Sequence, residues 1–411
     1  MKKILIVSDY LDKIWWIETY IWDLKKVLEK NWFKVELFWV EKISKIKKFI
    51  GLFLSFINIP WQKKIRKKLD EFQPDLVWFH SVSRFLWPKV IEEVVNRKIK
   101  TIMTYHDLWY FAPFANKVYD FSDIPEKFSL SWFIEKTPKK NFLLIPYIVF
   151  KYLKLKKLRK QLQKVDYHTA PSEFVRKLIV KHNYAQKKQA KTLPNFILKE
   201  QIAQRQEIYQ DKINFVFFWR LEREKWVWLI IYFLAYLWDL KYINKELFNK
   251  ITKGIRIFIF WDGSQKKQLL ETFTWKNIYW EDVSFVKNLE NHSLENFDFI
   301  DSWNQFVYYF WRRDFETIKK FLSFSHFNLV PSLFLETFGL SAAQWCANKL
   351  INIWFNKPNI NSFILDEYKI DSQNYSEDFT QKMLSIIKWF NKEKFLEDSK
   401  KSYKLVEKLI I

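Results

Sequence analysis

"INFVFFWRLEREKWVWLIIYFLAYL", residues 213–237, carries the pattern that decides the fold. It opens on "INFVFF" (213–218), an apolar run broken only by Asn214, which reads as a parallel strand buried on both faces. The charged segment around "RLEREK" follows, and then "VWLIIYFLAYL" (227–237), whose length suits a helix rather than a strand. Strand, short polar loop and helix make half of a βαβ unit.

The same alternation runs outward in both directions. Upstream, "KILIV" (3–7), "KVELF" (34–38), "DLVWF" (75–79), "KTIMTY" (100–105) and "VDYHTA" (165–170) read as strands. Between them, residues 17–30 repeat apolar side chains at helical spacing, and "FLWPKVIEEVV" (85–95) is helix-like. "SEFVRKLIV" (172–180) starts with a serine in an N-cap position. Downstream, "IRIFIF" (255–260) and "HFNLVPS" (326–332) are strands, "GLSAAQWCAN" (339–348) is a helix, and 376–408 is a basic helical tail. The pattern pauses near the polar stretch 198–212 and then restarts. The fold class is therefore α/β, with two Rossmann-like doubly wound domains at 1–200 and 201–385 facing each other across a cleft. A last segment, 386–411, is expected to pack back toward the N-terminal domain.

The composition is unusual in one respect: 411 residues include 22 Trp and only 4 Gly. A chain of this length ordinarily has about 29 Gly, roughly 7%. Glycine is what lets a chain take φ > 0 or approach a ligand with its backbone. The tryptophans stand where glycines are needed. Trp15 and Trp16 fall at the first strand-to-helix turn, and Trp32 just past a helix end. Trp219, Trp261 and Trp311 close apolar strand runs, and Trp226 and Trp228 open a helix. One codon accounts for this, because UGA is read as stop, Trp or Gly under different genetic codes. Most of these positions are therefore read as glycine in the living protein, whereas Trp61, Trp132 and Trp389 lack such a context.

With those positions read as glycine, "FFWRLEREKWVWLII" (217–231) resembles the "GRL-x-x-EKG-x-x-x-LI" signature of the retaining family 4 (group 1) glycosyltransferases of the GT-B fold. "IFIFWDGSQKKQLLE" is similar to their "GDGP…LE" segment, and "LVPSLFLETFGLSAAQW" (329–345) to "PS-x-x-E-x-FG-L-x-x-x-E". "IWWIETY" resembles their "GG-x-E" loop and "TYHDL" (104–108) their "HD" segment; "APSEFVRKLI" and "LPNFI" match the end of their first domain. The pieces keep the family's order from residue 4 to about residue 355.

The resemblance implies transfer of a sugar from a nucleotide-diphosphate donor to a sugar or lipid-linked hydroxyl acceptor, with retention at the anomeric carbon, in cell-envelope polysaccharide or glycolipid synthesis. It also implies that no metal or other cofactor is needed. A departing pyrophosphate has to be stabilised by preset dipoles and cations. Gly339 and Leu340 start a helix whose free N–H groups suit an anion, and Arg220 and Lys225 match the family's diphosphate-binding pair. Glu336 resembles the glutamate that accepts from the donor sugar's hydroxyls. Eight residues on, the family's ribose-binding glutamate is replaced by Gln344, which removes charge assistance. His106 follows a strand at the edge where α/β sheets bind ligands and matches the family histidine near the donor sugar. His80 ends a strand beside it, Trp15 and Trp16 form the acceptor-side loop, and Asp107 suits capping as well as reaction.

Charge bounds the partners. The chain has 69 Lys+Arg against 46 Asp+Glu, a formal net charge of +23, a field that favours anions. The lysines spread over most helices instead of clustering with aromatics on one face, which argues against a nucleic-acid partner. The greasy, basic stretches 45–68 and 139–164 suit either ordinary core helices with lysine-rich faces or an anionic membrane surface. The single cysteine, Cys346, fits a reducing cytoplasm. The start "MKKILIVSDY" reads as a first strand rather than a signal peptide, and no apolar run reaches the ~20 residues of a membrane span. The expected location is cytoplasmic, at the inner face of the plasma membrane if those stretches bind lipid. The competing reading is a catalytically inactive relative that binds carbohydrate or membrane; Gln344, and real tryptophans at 15 and 16, would point that way.

Overall fold

The computed structural model describes residues 1–9, 11, 16–40, 59–83, 86, 88–112, 118, 120–135, 144–205, 212–218, 228–260, 306–310, 315–330, 335–357, 360–371 and 374–411. They form two compact units, Met1–Asn195 and Phe196–Ile411. The expected site residues Trp15, Arg220 and Lys225 lie outside the described residues, as does the side chain of Trp16.

The first unit runs β1 (Lys3–Ser8), α1 (Trp16–Lys30), β2 (Lys34–Trp39), α2 (Ile59–Phe72), β3 (Leu76–His80), α3 (Pro88–Asn96), β4 (Lys100–Thr104), α4 (Leu130–Glu135), α5 (Ile145–Leu162), β5 (Tyr167–Ala170), α6 (Glu173–Lys181) and β6 (Ala190–Thr192). All neighbouring strands pair parallel in the order β2-β1-β3-β4-β5-β6. Leu5, Ile6, Val7, Val77 and Phe79 are fully buried, as strands covered on both faces require. Helix α3 was expected from residue 85 but begins at Pro88. A proline has no N–H to give and is tolerated only in the first turn. Helix α5 buries Ile148, Leu155, Leu158 and Leu162, so the apolar side of that greasy stretch serves the core. Residues 45–58 and 139–143, the rest of the two stretches, lie outside the described residues.

The second unit runs β7 (Ile213–Phe218), α7 (Trp228–Ile243), α8 (Lys245–Lys253), β8 (Ile255–Phe260), β9 (Val307–Phe310), α9 (Phe315–Phe324), β10 (Phe327–Val330), α10 (Leu340–Ala347), β11 (Ile351–Phe355), β12 (Lys369–Ile370), α11 (Tyr375–Trp389) and α12 (Lys392–Lys404). Its sheet is also parallel, ordered β12-β11-β10-β7-β8-β9. The tail is two helices rather than one; Asn391 breaks it and caps α12 by accepting from the Lys394 N–H. The segment from 386 on clusters with this second unit. Ser399 and Ser402 donate to the carbonyls of Lys349 and Leu350, and Ile410 bridges to Ile197.

Both sheets are doubly wound, and each has one place where the strand order reverses. In the first it lies between β1 and β3, in the second between β7 and β10. Crossover helices leave these points toward opposite faces, so the carboxyl ends of the two strands part and open a crevice for ligands.

Candidate active site

At the first crevice β1 delivers Asp9, β3 delivers His80 and Ser81, and β4, next in the sheet, delivers His106. The two imidazoles meet: His80 Nδ1 lies 2.8 Å from His106 Nε2, and their rings stack at 5.1 Å with planes 18° apart. Trp78 lies against His80, and Tyr20 from α1 sets its edge against His106 at 5.2 Å. Burial holds both imidazoles well below their ordinary pKa, His106 at about 4; for His80 the neighbouring imidazole adds to the effect. Both rings are therefore neutral at pH 7, and one N–H is shared between them. His80 Nε2 is buried without a hydrogen-bond partner among the described residues. A bare buried lone pair is tolerated better than a bare buried N–H. That favours a proton on His80 Nδ1, donated to His106 Nε2, and leaves the His106 proton on Nδ1.

The loops around this pair are tied down. Asp9 is buried and accepts from the Leu86 N–H at 2.5 Å, while its own N–H donates to the Ser81 carbonyl. Tyr110 Oη accepts from the Val82 N–H, and Tyr184 Oη donates to the Tyr110 carbonyl. Asp107 accepts from the Trp109 N–H and caps the short turn Leu108–Tyr110, the capping role that its position suited. Glu18 is buried in the first turn of α1, where the helix dipole favours a carboxylate. Asp9, Glu18 and Tyr20 were given no role in the sequence reading. The signal available for Asp9 was a polar pair, Ser8–Asp9, closing an apolar strand.

At the second crevice the chain leaves β10 and reaches Glu336, half-buried, and then Gly339. Gly339 takes φ 82° and ψ 44° and stands as N-cap of α10, with no side-chain cap. A Cβ there would come within 3.3 Å of Ile360 Cγ1. The first amides of α10 thus form an anion-ready helix start, for which only glycine offers the entry without strain. Leu340 is half-buried and packs on the core. Gln344, expected to meet a ribose, is buried with its Nε2 3.4 Å from Gln201 Oε1; its Oε1 has no partner among the described residues. Among the described residues no cluster of His, Cys, Asp or Glu is arranged to hold a metal ion. None of their helices is long and apolar enough to cross a membrane.

Two doubly wound parallel units, each with polar groups at its reversal point, define the GT-B class. Solved structures agree on that fold over the whole chain. Sucrose-phosphate synthase from Thermosynechococcus elongatus is 12% identical, with TM-score 0.61, covering 100% of this chain and 95% of its own. WaaG, described as a glycosyltransferase of lipopolysaccharide biosynthesis, is 10% identical, with TM-score 0.62 and coverage of 98% and 95%. HepE of Anabaena, solved with UDP and glucose, is 10% identical, with TM-score 0.59 and coverage of 100% and 95%. The comparison with curated proteins gives no match. The family model for Glycosyltransferase Family 4 matches residues 17–200. That match spans less than half of the chain: residues 17–200 are similar to Glycosyltransferase Family 4, and the chain as a whole has the fold of the GT-B structures.

Proposed function

We propose that the protein transfers a sugar from a nucleotide-diphosphate donor to a hydroxyl of a sugar or lipid-linked acceptor, with retention of anomeric configuration, in building a cell-envelope polysaccharide or glycolipid. The observation that carries this reading is the second reversal point, where Gly339 in the left-handed region turns the first N–H groups of α10 outward. Those amides, with Leu340 at the helix start and with Arg220 and Lys225 from the loop after β7, take the diphosphate and stabilise its departure. Glu336 accepts from the sugar hydroxyls. In the first unit, neutral His106 donates from Nδ1 to the transferred sugar or its phosphate, and His80 fixes the ring. The acceptor-side role of Trp15 and Trp16 rests on the sequence resemblance alone. No metal takes part: cations and helix amides carry the charge.

HepE was solved with UDP and glucose, which supports a nucleotide-sugar donor here. A lipid-linked acceptor would bring the protein to the inner face of the plasma membrane from the cytoplasm. The test is nucleotide release from UDP-, GDP- and ADP-sugars, with and without lipid-linked acceptors. Release from one donor, abolished by His106→Ala, supports the reading. Inertness toward every donor, with carbohydrate still bound, identifies a non-catalytic binding protein, the alternative that the inward-turned Gln344 favours.

A further inference from the structure

The far end of α10 borders a cavity of about 560 Å³ in the second unit, lined by Arg205, Lys349, Lys400, Tyr403, Lys404 and Glu407 among others. Eight residues at ~1.5 Å rise place it roughly 12 Å along the helix from Gly339, so it is not the donor-phosphate position. Four cations share this wall with one carboxylate. Among the described residues none of the four forms an ion pair. Lys400 and Lys404 stand one helical turn apart and repel each other.

Arg205 is built in rather than splayed on the surface. Its Nη1 donates to the Leu322 carbonyl at 2.9 Å, and its guanidinium lies over the Phe395 ring at 5.7 Å. Its Nη2 is buried without a hydrogen-bond partner among the described residues. Desolvation lowers this guanidinium to about 10, the direction expected of a cation that has lost water and found no anion. The inner wall is fixed as well: Asn348 Oδ1 accepts from the Ala203 N–H, and Asn348 Nδ2 donates to the carbonyls of Gln201 and Gln344. Three exposed ammoniums beside a buried, uncompensated guanidinium suit clustered phosphate oxygens, since each ammonium bond is charge-assisted and a neutral ligand would leave the charge uncompensated.

We propose that this cavity is a second anion site, separate from the donor position, which takes a compact ligand bearing more than one phosphate charge, either a free diphosphate or a phosphorylated headgroup.

Calorimetric titration with inorganic pyrophosphate at low salt tests it on three forms of the full chain: wild type, Lys400→Gln/Lys404→Gln, and Lys187→Gln/Lys188→Gln. The last pair is exposed in the first unit and removes the same charge. The cavity variant is expected to lose one pyrophosphate binding event, or bind it at least ten-fold more weakly, with nucleotide-sugar turnover unchanged. The control pair is expected to keep it. Flotation with phosphatidylglycerol vesicles separates the two sources: vesicle binding that is lost in the cavity variant and displaced by pyrophosphate identifies a headgroup, and pyrophosphate binding without vesicle binding identifies a free diphosphate. If the cavity variant binds pyrophosphate and vesicles as wild type does, or if the control pair loses as much, the site does not exist. Because the two mutated lysines are exposed, the result does not depend on the donor assignment.

Discussion

The two sheet edges that carry candidate site residues, one in each unit, offer different chemistry. The first presents side chains: two imidazoles in contact, with buried Tyr20 set against them. The second presents backbone, through Gly339 and the amides that follow it. Side-chain chemistry in a dry setting is tuned by burial and therefore answers to pH. Backbone chemistry depends on one φ angle and answers to sterics. The units ought to fail under different insults.

Acid should separate them most. His106, His168 and His182 are held at about 4 by burial, and His80 is also lowered; all four lie in the first unit. In the second unit His326, held at about 3, is the one depressed imidazole among the described residues. An unfolded imidazole has pKa ~6.5, so between that value and ~4 the unfolded chain binds more protons. This stability is complete above pH ~6.5 and is lost as pH falls through the folded values, by ~1.4 kcal/mol per group for each unit of depression. Hydrogen exchange at pH 7, 5.5 and 4.5 should show strands β1 to β5 deprotecting before β7, β8, β10 and β11. Simultaneous loss would mean that the imidazoles do not set the order.

Next in size is His106→Ala. A preset donor to developing charge is worth about a hundred-fold or more in turnover. The neutral ring should leave activity flat between pH 6 and 8 in so far as His106 governs it. A rate that instead follows a group of pKa ~6.5 would show that His106 works charged. His80→Ala should cost less, since His80 acts only by holding its partner.

Much of this architecture could be read from the chain. Apolar runs such as "INFVFF" and "KILIV" declared themselves because both faces of a parallel strand are covered. Strands β6 and β12 were missed because three and two residues carry no period, and β11 because only Asn348, Lys349 and Leu350 separate "INIWF" from the helix before it. His80 and His106 were each legible as strand-end residues, but their contact was not. It depends on β3 and β4 pairing with His80 opposite Thr104, and a register is not written in either segment. The inward turn of Gln344 was invisible for a similar reason: its partner, Gln201, lies 143 residues away.

Gly339→Ala sharpens the contrast from the other side. A Cβ at φ 82° costs about 1–2 kcal/mol, and its 3.3 Å approach to Ile360 adds to that. The melting temperature should fall by several degrees at any pH from 5 to 8, and donor affinity should fall with it. A loss of donor affinity confined to acid would assign the effect to titration instead.

The smallest effect bears on the tryptophans. Trp32 takes φ 65° two residues after the end of α1 at Lys30. Its N–H donates to the Glu29 carbonyl, and the Phe33 N–H to the Leu28 carbonyl, the paired bonds of a Schellman ending in which glycine is the usual residue. At 84% exposure its indole gains almost nothing from burial. Trp345 and Trp354 are fully buried, although Trp345 leaves its Nε1–H without a partner among the described residues. Trp32→Gly should therefore raise stability by about 1 kcal/mol, or ~2–4 °C in melting temperature for a unit of this size. Trp354→Gly should instead open a cavity and cost about 3–5 kcal/mol in the chain as written. If both substitutions stabilise, the core as well as the turns is built for glycine, and UGA at those codons, as at 15, 16, 219 and 226, would give the cause. If only Trp32→Gly does so, the reassignment stops at the surface and the buried indoles are native.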